Sequence, residues 1–218
     1  AAIEEEERKR NELRQRLEAW KESGYNVSRL EQIIDGDLQS IVEQFNIFEG
    51  DIQHLKSVED ELSKIDMKGH DEDINRIREL CKDPGNIKQV DAEFSKLKET
   101  IESEKKLIEQ MKETISRWKQ EGYITTRLEG LEETNYEAFK EKVGAFQEDI
   151  NRLKELKGAL EQMDVRWHPE MAKEIKDKLN NPDAIGIIER KMDELKAVLE
   201  AEAHERESLR DKIKKWQM

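Results

Sequence analysis

Four histidines, one cysteine and 52 carboxylates are the side chains of this 218-residue chain that could bind a metal, move a proton or attack a carbon. His54, His70, His168 and His204 lie far apart and form no i, i+4 pair, the spacing by which one helical face grips a metal. His70 and His168 stand 98 residues apart, each directly before an expected helix start, which predicts a capping or packing role. Cys81 has no base to activate it, and the residue 98 positions on is Leu179, so it reads as a small core hydrophobe. Asp83-Pro84-Gly85-Asn86 is a turn, because a phosphate loop ends in Gly-Lys-Ser/Thr. Asn26-Val27-Ser28 matches a glycosylation sequon, but nothing in the sequence indicates secretion. The carboxylates recur at helical spacing among lysines and arginines, the pattern of solvated faces with salt-bridging partners. No catalytic, cofactor-binding or metal-binding residue is assigned on this basis. The chain is expected not to be an enzyme and to need no cofactor.

What must position these residues is a repeat. Trp20, Trp118 and Trp216 fall at equal steps of 98, and sliding the chain by 98 positions without gaps gives 30 identities over 120 pairs. The matches include Asp66/Asp164, His70/His168 and Pro84/Pro182. A fixed period of this kind is the signature of an array of stacked units. The expected division is 1–103, 104–201 and, as the start of a third unit, 202–218. The chain is therefore expected to be a piece of a longer protein.

Charged residues make up 42% of the chain and there are only three prolines, so long helices account for most of its length. One is expected from about Pro84 to Glu121, with a seam of Ile87, Val90, Phe94, Leu97, Ile101, Ile108, Met111, Ile115 and Trp118. Steps alternating three and four mark a narrow, coiled-coil-like seam. The seam skips one place, Glu104, and Glu6 and Glu202 hold that place in the other copies. A polar layer or a solvated stretch would both fit there. A second seam runs Leu38, Ile41, Phe45, Phe48, Ile52, Leu55, Val58, Leu62 and Ile65, and recurs from Tyr136 to Met163. Short helices are expected near Asp71–Lys82 and Pro169–Asn180.

The breaks between helices have local causes. Asp83-Pro84 and Asn181-Pro182 place a cap before a proline suited to the first helical position. Gly24 and Gly122 suit a left-handed C′ position, which puts Trp20 and Trp118 at C3 and Tyr25 and Tyr123 at C″. Ser28 with Glu31, and Thr126 with Glu129, have the spacing of a capping box opening a short helix to about Ile34 and Glu132. The chain is expected to break again at Asp35-Gly36-Asp37 and Glu133-Thr134-Asn135.

A helix of roughly 36 residues is about 54 Å long, too long for one compact bundle. Its first half should close one unit and its second half open the next. That arrangement resembles spectrin-type repeats, in which successive bundles share a continuous helix. The Trp-Lys-x-x-Gly-Tyr…Arg-Leu-Glu phrasing, at Trp20–Glu31 and Trp118–Glu129, also resembles helical repeats of long coiled-coil proteins of archaea. The resemblance implies an all-α, elongated tandem array of units of about 98 residues sharing a long helix over 84–121.

The net charge of −13 argues against nucleic acid as the main ligand, since phosphate binding needs a cationic surface. No apolar run reaches membrane-spanning length, and basic clusters that read anionic lipid are absent. A single cysteine fits a reducing compartment, so the expected location is cytoplasmic. The expected partners are proteins or flanking domains of the same chain, with the chain itself a monomer or weak dimer. The leading expectation is a non-enzymatic structural rod or spacer. The alternative is the helical arm of a nucleotide-driven, DNA-associated machine whose motor lies outside residues 1–218.

Overall fold

Two of the long helices begin where a side chain supplies the hydrogen bond that the first turn lacks. In the computed structural model, which describes residues 2–66, 68–131 and 135–216, all regular structure is helical. The elements are α1 (Ala2–Glu22), α2 (Ser28–Glu31), α3 (Leu38–Ser63), α4 (Asp71–Leu80), α5 (Ile87–Gln120), α6 (Tyr136–Glu161), α7 (Pro169–Lys176) and α8 (Ile185–Trp216). Asp37 caps α3 by accepting from the Ser40 amide at 3.0 Å, and Asn135 caps α6 by accepting from the Ala138 amide at 2.8 Å. The expected break at Glu133 and Thr134, and the helix end at Glu132, lie outside the described residues. Asn135→Ala should cost about 1 kcal/mol, the usual cost of an N-cap, read as a lower denaturant midpoint at unchanged slope.

Asp83 and Asn181 also cap as expected, accepting from the amides of Gly85 and Asp183 at 2.8 and 3.0 Å. The prolines that follow open short 3-10 turns, Pro84–Asn86 and Pro182–Ala184, rather than the α-helices themselves. Helix α5 therefore starts at Ile87, slightly later than the sequence suggested. A side chain that accepts from the amide two residues on favours the tighter turn first.

Helices α1 and α5 end alike. Gly24 and Gly122 have φ of +88° and +92°. The Tyr25 amide donates to the Trp20 carbonyl at 3.1 Å, and the Tyr123 amide to the Trp118 carbonyl at 3.0 Å. With the glycine amides bonded to Lys21 and Lys119, both ends are Schellman motifs.

The capping boxes do not form. Ser28 is the first residue of α2, not its cap, and its amide and hydroxyl both donate to the Asn26 side chain, at 3.1 and 2.7 Å. Glu31 reaches Lys21 at 2.8 Å instead. The counterpart at Thr126–Leu128 is a single 3-10 turn after Thr125. An Asx turn and a salt bridge have taken the groups that the box required.

The chain divides into two compact units, Ala1–Lys106 and Leu107–Met218, and the boundary falls inside α5. In the first unit, the early half of the α3 seam (Ile41, Phe45, Phe48, Ile52) packs with Leu13 and Leu17 of α1 and with Leu30. Its later half (Leu55, Val58, Leu62) packs with Ile74 and Ile77 of α4 and with Val90, Phe94, Leu97 and Ile101 of α5. One apolar stripe thus serves two sets of partners along a single helix. In the second unit, Phe139, Val143, Phe146 and Ile150 of α6 meet Trp118 and Leu128. Farther along α6, Leu153, Leu156 and Leu160 meet Ile175 of α7 and Ile188, Met192 and Leu195 of α8.

Two stretches depart from this burial. On α5, Glu102, Ser103 and residues 105–107 are exposed. On α8, the expected seam residues Leu209, Ile213 and Trp216 are 50%, 51% and 84% exposed. No helix among the described residues is long and apolar enough to cross a membrane.

Candidate functional site

The chemistry-bearing residues that the fold brings together are His70 with Glu104, and His168 with Glu202. His70 precedes the first residue of α4 and is nearly buried, at 8% exposure. Its carbonyl accepts from the Ile74 amide at 2.9 Å and so starts the helix, but its side chain caps nothing. Instead Nε2 meets the Glu104 carboxylate on α5 at 2.8 Å. His168 repeats the arrangement before α7, with Nε2 at 2.8 Å from Glu202 on α8. In both pairs the partners are 34 residues apart, so one geometry occurs once in each unit. Both histidines thus stand at the N-cap position as expected, but a cross-helix bond rather than a side-chain capping bond holds each imidazole. At Glu104 and Glu202 the skipped seam position is a polar layer, because the imidazole N–H held there requires an acceptor.

Chemically, a hydrogen-bonded histidine and carboxylate form two parts of a proton-relay triad. Among the described residues, no group of three or more His, Cys, Asp and Glu side chains is placed to hold a metal. His54 lies elsewhere, 2.6 Å from Asp91, and His204 is exposed on α8. Cys81 is fully buried among apolar side chains of the first unit. Desolvation, with a further push from Glu59, raises its thiol to about 11, so the reactive thiolate is suppressed near neutral pH. The Asn26 amide of the sequon donates to Asp83 at 2.7 Å, and its backbone N–H donates to the Lys82 carbonyl at 2.8 Å.

The Trp…Gly-Tyr motif is structural in its surroundings. Trp118 is 4% exposed, and its ring lies 5.1 Å from Phe146. Trp20 is partly buried against Phe48 and Phe45, at 5.0 and 5.6 Å, with the Arg16 guanidinium 5.1 Å over its face. A further cluster went unrecognised in the sequence: Arg29 lies over the Phe48 ring at 4.7 Å and is paired with Asp51. Arg127 lies over Phe146 at 4.8 Å and is paired with Asp149. All six residues are identities at the 98-residue offset, which was the available signal.

The second unit also carries an open groove of about 370 Å³, lined by Leu107, Met111, Trp118, Tyr136, Val143 and Gly144 among others. In the first unit Arg16 and Glu49, 2.6 Å apart, bridge the equivalent ground; Thr114 and Gln147 replace them in the second. Here the second unit lacks that ion pair and has Val143 where the first has Phe45.

No protein-family model, curated protein or solved structure matches this chain. The functional reading therefore rests on the contacts themselves.

Proposed function

We propose that the chain is a non-enzymatic scaffold, an elongated tandem array of helical units serving as a spacer between protein partners or flanking domains. The supporting observation is that two cross-helix contacts recur at the 98-residue offset with their chemistry changed. Arg76 pairs with Glu93 at 2.7 Å, whereas the counterparts are Glu174 and Lys191, paired with the signs reversed. His54–Asp91 becomes Arg152–Glu189. A site that transfers protons or holds a ligand depends on which partner carries which charge. A module maintained for its shape needs only that the two sides attract. Sign reversal with the contact intact favours the second requirement.

The spacer reading makes a measurable demand. Small-angle scattering of the dilute chain should give a radius of gyration well above the roughly 17 Å of a compact domain of this length. A value near that figure would remove the spacer role, since a compact particle holds nothing apart.

A further inference from the structure

The exposed face of α8 is a near copy of the buried face of α1. Residues 202–216 lie two periods beyond residues 6–20, and Leu209, Ile213 and Trp216 correspond to Leu13, Leu17 and Trp20. Leu13 and Leu17 are buried against α3, while Leu209, Ile213 and Trp216 are open to solvent. The polar positions carry more information than the apolar ones. In the first unit Arg10 donates to the carbonyls of Ile34 and Gly36 at 3.2 and 2.8 Å. Arg14 pairs with Asp35 at 2.9 Å, and Arg16 with Glu49 at 2.6 Å. Helix α8 keeps a cation at all three places, with Arg206, Arg210 and Lys212. The second-unit half of α5 has Ile108, Lys112 and Thr114 there, and Gln147 in place of Glu49. Charge as well as shape therefore fits α8 to the face of the first unit that α1 covers.

We propose that this α8 face docks on the α2–α3 face of a second copy of the chain, in the place of its α1, joining copies head to tail. The inference rests on the reading of 202–218 as the start of a further unit. It would seat Trp216 near Phe45 and Phe48 of the second copy, and set Arg210 and Lys212 against that copy's Asp35 and Glu49. Such an interface is heterologous, so assembly would continue beyond the dimer into a ring or an open chain. The resident α1 competes from an effective concentration of order millimolar, because it is tethered. Association of the unaltered chain should therefore be weak, and weakening α1 should strengthen it.

Analytical ultracentrifugation of the full chain tests this. Leu13→Ala with Leu17→Ala should tighten association at least tenfold over the unaltered chain, and adding Leu209→Ala with Ile213→Ala should abolish the gain. Association unchanged by the α1 substitutions, or surviving loss of the α8 residues, would overturn the proposal. If the α1 variant does not fold, chains carrying Glu49→Cys and Lys212→Cys can be mixed at about 1 mM, the scale of the competing tether, and treated with a short bismaleimide. The expected product joins position 49 of one copy to position 212 of another, Cys81 being buried and inert. Absence of that product would show that something other than a second copy covers the face. Scattering of the dilute monomer reports separately on the spacer reading, so the two can fail independently.

Discussion

Trp118→Ala should destabilise the second unit by about 3–5 kcal/mol, the range for removing a large buried aromatic. The indole is almost wholly buried and lies 5.1 Å from Phe146. It also sits at the helix end, where its own carbonyl accepts the Tyr123 amide. Truncation thus opens a cavity in the seam at the point where α5 must stop. Urea unfolding followed by circular dichroism is the measurement. An unchanged midpoint would show that the ring contributes little to packing and would restore a ligand-binding reading of the motif. Trp20→Ala should cost less, because Trp20 is only partly buried and α3 is held by two of its own phenylalanines there, where the second unit has Val143 and Phe146.

Breaking the histidine–glutamate layer should have the next largest effect, and a distinctive one. Glu104→Ala leaves the His70 N–H buried without its acceptor, at a cost of about 1–3 kcal/mol. Replacing both partners with apolar residues, as in His70→Phe with Glu104→Leu, should recover most of that loss, because no polar group then stays stranded. A double-mutant cycle separates the coupling from the single losses. The coupling should be weaker for His168 and Glu202, since the Glu202 side chain is 35% exposed against 16% for Glu104. Water can replace the lost acceptor more readily there. Equal couplings, or a Glu104→Ala variant as stable as the parent, would mean that the layer is solvated and the pair incidental.

Local physics explains what was readable from the sequence. The 3,4 spacing on α3 and α6 and the glycines after Trp20 and Trp118 located the long helices and the ends of α1 and α5, whereas α7 stops at Lys176 rather than near Asn180. Those signals depend on neighbours within one or two turns: an Asp or Asn that caps, a glycine that adopts positive φ, an apolar stripe on one face. Where local partners compete, the same reasoning failed. Ser28 and Glu31 have the spacing of a capping box, but Asn26 and Lys21 take their hydrogen bonds. The 3-10 turns after Asp83 and Asn181 lay below the resolution of a periodicity argument.

The sequence by itself determined that the chain is helical, that Asp83, Asn181 and the glycines after Trp20 and Trp118 punctuate its long helices, and which residues form the apolar stripes, because each of these is decided within a few residues. Only the tertiary structure decided which polar groups meet. His70 and Glu104 are both visible as recurring residues, yet nothing local links positions 34 apart on different helices. The reversed pairs Arg76–Glu93 and Glu174–Lys191 are likewise invisible until α4 is set beside α5 and α7 beside α8. Burial is decided at the same level. Leu17 and Ile213 occupy the same place in the pattern, but one is 8% exposed and the other 51%, because burial requires a facing helix and periodicity specifies only one side of the contact.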